Sequence, residues 1–211
     1  MSRKTNRQPP DKGRRRRRKP EAAESEILNA AEQFLRAQPL RDMTVDDIMS
    51  RTGLSRPSFY EYFRDRNQLI IKLAERLGAQ NAAIADKWMK SERPIEDIRP
   101  ATEEAVQLAV IHGHLMRALS DAAISDRQVE ATYRQEMQAA IDKTAQRIRA
   151  DAARGLVNLD GLDAKHLATA LIHMNQAYLI ETMGRRPQSD PKVVAETLIA
   201  IWTRVLLPPS R

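Results

Sequence analysis

The chain has 211 residues, of which 42% are hydrophobic and 30% are charged, and it contains no cysteine. This length is enough to bury the core of one medium domain, or of a small domain joined to a larger one. The lack of cysteine excludes disulfides and thiolate chemistry and favours a reducing cytoplasm. We find no signal-peptide pattern and no apolar run of about 18 residues, so we expect a soluble, cytoplasmic protein without a membrane span.

Positive charge is concentrated in residues 1–20. This segment has ten Lys or Arg against one acid, a net charge of +9, so the rest of the chain carries −2 within a total of +7. Like charges without apolar residues are typical of a disordered arm that binds a polyanion. We predict DNA contacts from the central arginines of this arm, Arg14, Arg15, Arg16, Arg17 and Arg18. A solvated or purification-related tail is the alternative.

From Glu21 to its end the chain shows helical periodicity and no alternating strand pattern. The pattern predicts an all-α fold of about nine helices. The first covers residues 21–37, two short helices follow between residues 44 and 63, and a long helix starts at Asp65. The later helices are predicted at residues 101–111, 113–123, 127–154, 163–183 and 191–207.

The two short helices have the signals of a helix-turn-helix. Thr44 is a good N-cap with Asp47 three residues later, and Gly53 permits a positive φ in the turn. Ser55 can cap the second helix, and Pro57 sits in its first turn, where a missing N–H has no cost. Short helices joined by a tight turn with glycine make a helix-turn-helix.

The second helix of such a motif enters the major groove of DNA with its N-terminal residues leading. Arg56 and Ser58 lie in that leading turn, and an arginine can donate two hydrogen bonds to a guanine. Four aromatic rings follow within five positions. Helical phase assigns Phe59 and Phe63 to the core, whereas the hydroxyls of Tyr60 and Tyr62 can donate to phosphates. An ordinary helical hairpin would not explain the two tyrosines.

The segment "MTVDDIMSRTGLSRPSFYEYFRDRNQLI" resembles the DNA-binding domain of TetR-type transcriptional regulators. The resemblance covers residues 27–73 and depends on the spacing of Thr44, Gly53, Ser55, Tyr60, Phe63 and Leu69. It implies that DNA phosphates are held by Thr44, Ser55, Tyr60, Tyr62 and Arg66, and that bases are read by Arg56, Pro57 and Ser58. Arg66 departs from the lysine that is usual in the family, but it retains the charge.

The late segments "HLATALIHMNQAYLIETMG" and "TLIAIW" are similar to those of one subgroup of this family. In that subgroup a long apolar channel is capped by an asparagine and a tryptophan. The resemblance implies a small hydrophobic effector bound by Tyr133, Met137, Thr144, Asn175, Leu179 and Trp202. Ala140 and Ile180 stand where larger rings are expected, which predicts an effector of different shape. Ordinary core packing is the alternative reading of the apolar stripe on helix 127–154.

The last two predicted helices have apolar arcs that are wider than one buried face requires. In the family these helices form a four-helix homodimer interface, and two recognition helices about 34 Å apart read a palindrome. The predicted organisation is a basic arm at 1–20, a helix-turn-helix domain at 21–70 and a ligand-binding and dimerisation domain at 71–211. We expect a repressor that binds a double-stranded operator and is released by its effector.

A small-molecule enzyme on an all-α scaffold is the first rival to this function. The sequence has no catalytic constellation, Gly-rich phosphate loop or cofactor motif, and its histidines lack metal-ligand spacing, so we predict no catalysis, cofactor or metal. An activator of the same fold is an alternative, because operator position decides the sign of regulation. A nonspecific nucleic-acid or membrane-surface binder driven by the arginine run is the other.

Overall fold

The computed structural model describes residues 20–207, and this part of the chain is all-α, as the sequence predicts. It contains eight α-helices and no strand. Their bounds are α1 Pro20–Ala37, α2 Val45–Met49, α3 Arg56–Tyr62, α4 Arg66–Met89, α5 Ile98–Ser125, α6 Arg127–Ala153, α7 Ala164–Met183 and α8 Pro191–Leu206. One 3₁₀ turn, Leu40–Asp42, lies between α1 and α2. None of the described helices is long and apolar enough to cross a membrane.

The division into two helices at 101–111 and 113–123 is wrong, because one helix, α5, runs unbroken through both segments. Gly113 suggested a break, but it is buried in the middle of α5. A Cβ atom at this position would lie 2.4 Å from the carbonyl oxygen of Met183, at the end of α7. The glycine therefore allows two helices to approach closely and does not end one.

The caps predicted at Thr44 and Asp65 are observed, whereas the roles predicted for Ser55 and Gly53 are not. Thr44 and Asp47 form a reciprocal capping box at α2, and the Asp65 carboxylate accepts from the backbone N–H of Gln68 at α4. Ser55 is the N-cap residue of α3, but its Oγ lies 3.0 Å from Oγ of Ser58 and caps no backbone N–H. Gly53 is not among the residues with positive φ; its N–H donates to Glu26 at 2.8 Å.

We call residues 20–70 the N-terminal unit and residues 71–207 the body. A continuous hydrophobic cluster starts in the N-terminal unit around Phe34, Phe59 and Phe63, and extends along α4 and α5 into the body. A second cluster lies around Trp88, Ile148 and Trp202. Because α4 spans residues 66–89, it runs from the N-terminal unit into the body, and it contributes to both clusters.

The C-terminal end of α4 is held by Arg147, a buried residue of α6. Its guanidinium donates to the carbonyl oxygens of Trp88, Met89 and Ser91 at 2.6 to 2.7 Å, and it is paired with the buried carboxylate of Asp151. Carbonyls at the end of a helix have no partner within the helix. Arg147 supplies that partner and so attaches the end of α4 to α6.

Candidate functional site

The N-terminal end of α3 is exposed at the surface of the N-terminal unit. Arg56 and Pro57 are exposed, and Ser58 is partly buried. The guanidinium of Arg56 lies 3.2 Å from the Asp46 carboxylate, and both side chains are more than half exposed. An ion pair this open to water contributes little to stability. Arg56 can therefore exchange it for another hydrogen-bond acceptor.

The four aromatic rings separate by helical phase, as predicted. Phe59 and Phe63 are fully buried, with ring centroids 5.4 Å apart. Tyr60 is 54% exposed and its ring packs edge-on against Phe59, with centroids 5.3 Å apart. Tyr62 is intermediate, because its ring also packs against the hydrophobic cluster. Tyr60 is thus the more accessible of the two tyrosines that are predicted to contact phosphates.

The other predicted phosphate contacts are already engaged in local hydrogen bonds. The Thr44 side chain belongs to the capping box, and its hydrogen bonds hold the pKa of Asp47 below its usual value. The Arg66 guanidinium donates to the Met43 carbonyl at 2.9 Å. Thr44 and Arg66 nevertheless remain exposed. The arm arginines, Arg14 to Arg18, lie outside the described residues.

In the body, an apolar cavity of about 340 Å³ lies among α4, α5, α6, α7 and α8. All six residues predicted to bind an effector line this cavity: Tyr133, Met137, Thr144, Asn175, Leu179 and Trp202. The fold therefore brings together side chains from α6, α7 and α8. Ala140 also lines the cavity and Ile180 does not.

Asn175 and Trp202 form the main polar contact of the cavity wall. The indole Nε1 of Trp202 donates to Oδ1 of Asn175 at 3.0 Å. An indole N–H can only donate, so the amide oxygen must face it. Nδ2 of Asn175 has no hydrogen-bond partner among the described residues. Asn175 can therefore offer Nδ2 as a free donor to a molecule in the cavity.

Several cavity residues were not predicted from the sequence. Trp88 packs edge-on against Trp202 with ring centroids 5.9 Å apart, and it lines the cavity from α4. Glu136 faces Gly78 across the α4–α6 contact, where an added Cβ would lie 2.8 Å from Oε2 of the glutamate. The chain has two tryptophans, and this rarity was a sequence signal that could have pointed to Trp88 as a cavity residue. Nothing local in the sequence relates Glu136 to α4.

The described residues contain no group of three or more His, Cys, Asp or Glu that could hold a metal ion. His112 instead pairs with Glu32 of α1, and Arg76 of α4 donates to the same carboxylate at 2.7 Å. The buried Glu32 thus connects three helices across the border between the N-terminal unit and the body. The sequence analysis did not identify Glu32.

A small helix-turn-helix unit joined through one long helix to a helical body with an apolar cavity defines a DNA-binding regulator with an effector domain. Residues 27–73 match the family described as "Bacterial regulatory proteins, tetR family", and residues 98–206 match "Transcriptional regulator EthR, C-terminal domain". The chain belongs to the TetR family of transcriptional regulators. Both the predicted family and the predicted subgroup, that of the regulator EthR, are confirmed.

Relatives and solved structures agree with this assignment. The chain is 33% identical over 184 residues to the HTH-type transcriptional regulator EthR of Mycobacterium tuberculosis, covering 83% of each chain. It is 29% identical over 182 residues to EthR of Mycolicibacterium smegmatis, covering 85% of this chain and 83% of the relative. SmeT, the repressor of a Stenotrophomonas maltophilia multidrug efflux pump, has a similar fold: the TM-score is 0.71 at 17% identity, covering 89% of this chain and 91% of that one.

Proposed function

We propose that this regulator is a cytoplasmic repressor that binds a palindromic operator as a homodimer and is released by a small apolar effector. The observation that supports this most directly is the position of α4. Its first turns belong to the N-terminal unit, and its later turns line the cavity through Leu77, Ile84 and Trp88. A molecule in the cavity therefore touches the same helix that holds the DNA-reading motif.

We assign DNA recognition to residues 21–70. Arg56, Pro57 and Ser58 would face base edges, because they form the exposed first turn of α3. Thr44, Ser55, Tyr60, Tyr62 and Arg66 would contact phosphates. These contacts would set the register of the protein on the duplex without reading sequence. The arm at 1–20 would add sequence-independent attraction, with a reach into the minor groove.

Effector binding and dimerisation are assigned to residues 71–211. Asn175 would donate from Nδ2 to an effector carbonyl, and apolar contact would come from the remaining cavity residues. Dimerisation would use α7 and α8, where Val193 is 59% exposed and Ala170 and Ala177 are also exposed. Exposed apolar side chains along two adjacent helices fit a self-complementary interface around a twofold axis.

The effector would act by changing the separation of the two recognition helices in the dimer. A ligand shifts an equilibrium only by its difference in affinity between the two states. The apolar effector would bind better to the geometry that does not fit the operator, and the operator would reduce effector affinity by the same factor.

The test is selection of a binding site from random duplexes, followed by titration of variants against the selected and a random duplex. Arg56→Ala should reduce the preference for the selected site, because it removes a base contact. Tyr62→Phe should weaken both duplexes alike. No preference between selected and random DNA at about 150 mM salt would instead support a nonspecific binder.

The arm is tested by deleting residues 2–19. Phosphate neutralisation releases counterions, so the deletion should flatten the dependence of affinity on salt and leave site preference nearly intact. An unchanged salt slope would refute the proposed role of the arm. A reporter gene that carries the selected site at different positions relative to its promoter would separate repression from activation.

A further inference from the structure

A second concave site lies at the border between the N-terminal unit and the body. It is a groove of about 770 Å³, separate from the effector cavity in its lining residues. Its walls come from the end of α1, the start of α4, the middle of α5 and the segment that joins α7 to α8. This groove is rich in positive charge, whereas the effector cavity is mostly apolar.

Five arginines and two aspartates line the groove: Arg36, Arg41, Arg66, Arg117, Arg186, Asp121 and Asp126. The two aspartates offset only part of the charge of the five arginines. The Asp126 carboxylate is occupied as the N-cap of α6 and accepts from Asn67 of α4. Asp121 lies 3.8 Å from Arg117 in a half-open pair. An excess of positive charge therefore faces the groove.

Arg186 is available to a ligand. It is exposed and has no ion pair or hydrogen bond of its side chain among the described residues. The neighbouring Arg185 is instead paired with Glu181 at 2.8 Å and does not line the groove. Arg36 is half exposed and lies 3.9 Å from Glu32, which is already bound closely by Arg76 and His112. Arg36 and Arg186 thus approach the groove from different elements.

His114 adds an unsatisfied polar group to the wall of the groove. Its Nε2 is the one buried side-chain nitrogen or oxygen without a hydrogen-bond partner in the part of the chain described. The nearest carboxylate, that of Glu32, is 3.6 Å away, beyond good hydrogen-bond distance. A buried polar atom without a partner destabilises a protein. His114 itself lines the groove, so an anion bound there would lie close to this imidazole.

We propose that this groove binds a tetrahedral oxyanion, the phosphate group of a small molecule, between Arg36, Arg117 and Arg186 and close to His114. The arginines come from α1, α5 and the α7–α8 segment, so their N–H groups approach from several directions. A tetrahedral anion has acceptors in several directions, whereas a single carboxylate is planar. Because the groove is lined by both regions, the bound anion would connect the N-terminal unit to the body.

Proton uptake should accompany binding. Burial lowers the pKa of His114 to about 4, so the imidazole is neutral at neutral pH in the free protein. Glu32 raises this pKa, and Arg36, His112 and Arg186 lower it. An added anion acts in the same direction as Glu32. Since the bound state has the higher pKa, affinity for the anion should increase as pH falls.

The first experiment is calorimetric titration of the full chain with sodium sulfate, with chloride holding the ionic strength constant. We expect one saturable site that is weakened about tenfold or more in Arg186→Gln, because a charge-assisted contact is lost. Arg185→Gln is the matched control and should bind like the original chain. Equal affinities in the two variants, or no saturable binding, would overturn the proposal.

The second experiment separates His114 from the arginines. Sulfate affinity should rise as pH falls from neutral towards about 4, the pKa of His114 in the free protein, and His114→Gln should remove most of this rise while retaining His112. An unchanged pH dependence in His114→Gln would show that His114 takes no part. The melting temperature of each variant without sulfate should stay close to that of the original chain, which excludes a folding defect as the cause of weak binding.

Two further binding experiments identify the source of the oxyanion. Inorganic phosphate should bind more tightly than succinate, and the opposite order would refute the tetrahedral assignment. Duplex DNA also carries phosphates. If Arg186→Gln weakened random duplex binding and Arg185→Gln did not, the groove would serve DNA, and the small-molecule proposal would be wrong.

Discussion

The N-terminal unit and the body present their candidate functional residues in opposite ways. In the N-terminal unit the proposed DNA contacts lie between Thr44 and Arg66 and are mostly exposed. In the body the cavity residues are spread from Ala74 to Trp202 and include many buried side chains. The first site depends on local helix starts and phase, whereas the second depends on how five helices pack.

This difference predicts which substitutions affect stability and which affect binding alone. Residues that hold the body together also shape its cavity, so their loss should lower both stability and effector affinity. Exposed residues of the N-terminal unit that cap no helix can change DNA affinity without changing stability. Four variants test this contrast, in order of decreasing expected effect.

Arg147→Met should have the largest effect. It leaves the Asp151 carboxylate buried without its main partner and removes three hydrogen bonds from the end of α4. Breaking one side of a buried ion pair typically lowers the free energy of unfolding by about 3 to 5 kcal/mol. Urea denaturation measures it, and Arg149→Met, at an exposed position of α6, is the control. Equal small losses would mean that the body does not depend on Arg147.

Gly113→Ala should destabilise by about 1 to 3 kcal/mol, because the new methyl group would overlap the backbone of α7. Gly78→Ala is the matched control. There the Cβ meets only the flexible end of Glu136, and alanine favours a helix by up to about 1 kcal/mol. Thermal unfolding of the two variants should shift in different directions or by clearly different amounts. A similar loss in both would contradict the close packing of α5 against α7.

Thr44→Ala should destabilise by about 1 kcal/mol, since it removes an N-cap hydrogen bond. Ser55→Ala should have a smaller effect, because Ser55 makes no side-chain hydrogen bond to the backbone of α3. Chemical denaturation at neutral pH compares them. If Ser55→Ala proved the more harmful, the observed cap geometry would be wrong.

The Thr44 effect should depend on pH in a defined direction. The pKa of Asp47 is lowered in the folded state, first by the side-chain hydrogen bond from Thr44. A lowered folded-state pKa gives a contribution that is present above the unfolded value, about 3.9, and is lost as pH falls through the folded value. The difference between Thr44→Ala and the original chain should therefore shrink in acid.

Tyr60→Phe should have the smallest effect on stability, because the side chain is 54% exposed and its hydroxyl has no partner within the described residues. Its loss should weaken selected and random duplexes alike by about 1 kcal/mol, the typical contribution of one hydrogen bond. Fluorescence anisotropy measures the affinity and denaturation measures the stability. A large loss of stability would contradict the assignment of Tyr60 to the surface.

Local chemistry in the sequence was sufficient to predict much of the N-terminal unit. Thr44 with Asp47 and Asp65 with its first turn are caps within four residues, so the sequence shows them directly. The separation of Phe59 and Phe63 from Tyr60 follows from helical phase. The positive φ expected at Gly53 was wrong; the backbone N–H of Gly53 instead donates to the carboxylate of Glu26, a residue of α1 that is distant in sequence.

The sequence by itself determined the all-α class, the capped starts of α2 and α4 and the face of α3 that is exposed, because capping and phase act within one or two turns. The tertiary structure decided that Gly113 is a contact and not a break, that Arg147 attaches α4 to α6, and that Glu32 joins α1, α4 and α5. It also brought Arg186 and His114 to one groove. These features join residues far apart in the chain, and their energies depend on burial and distance, which exist only once the helices have packed.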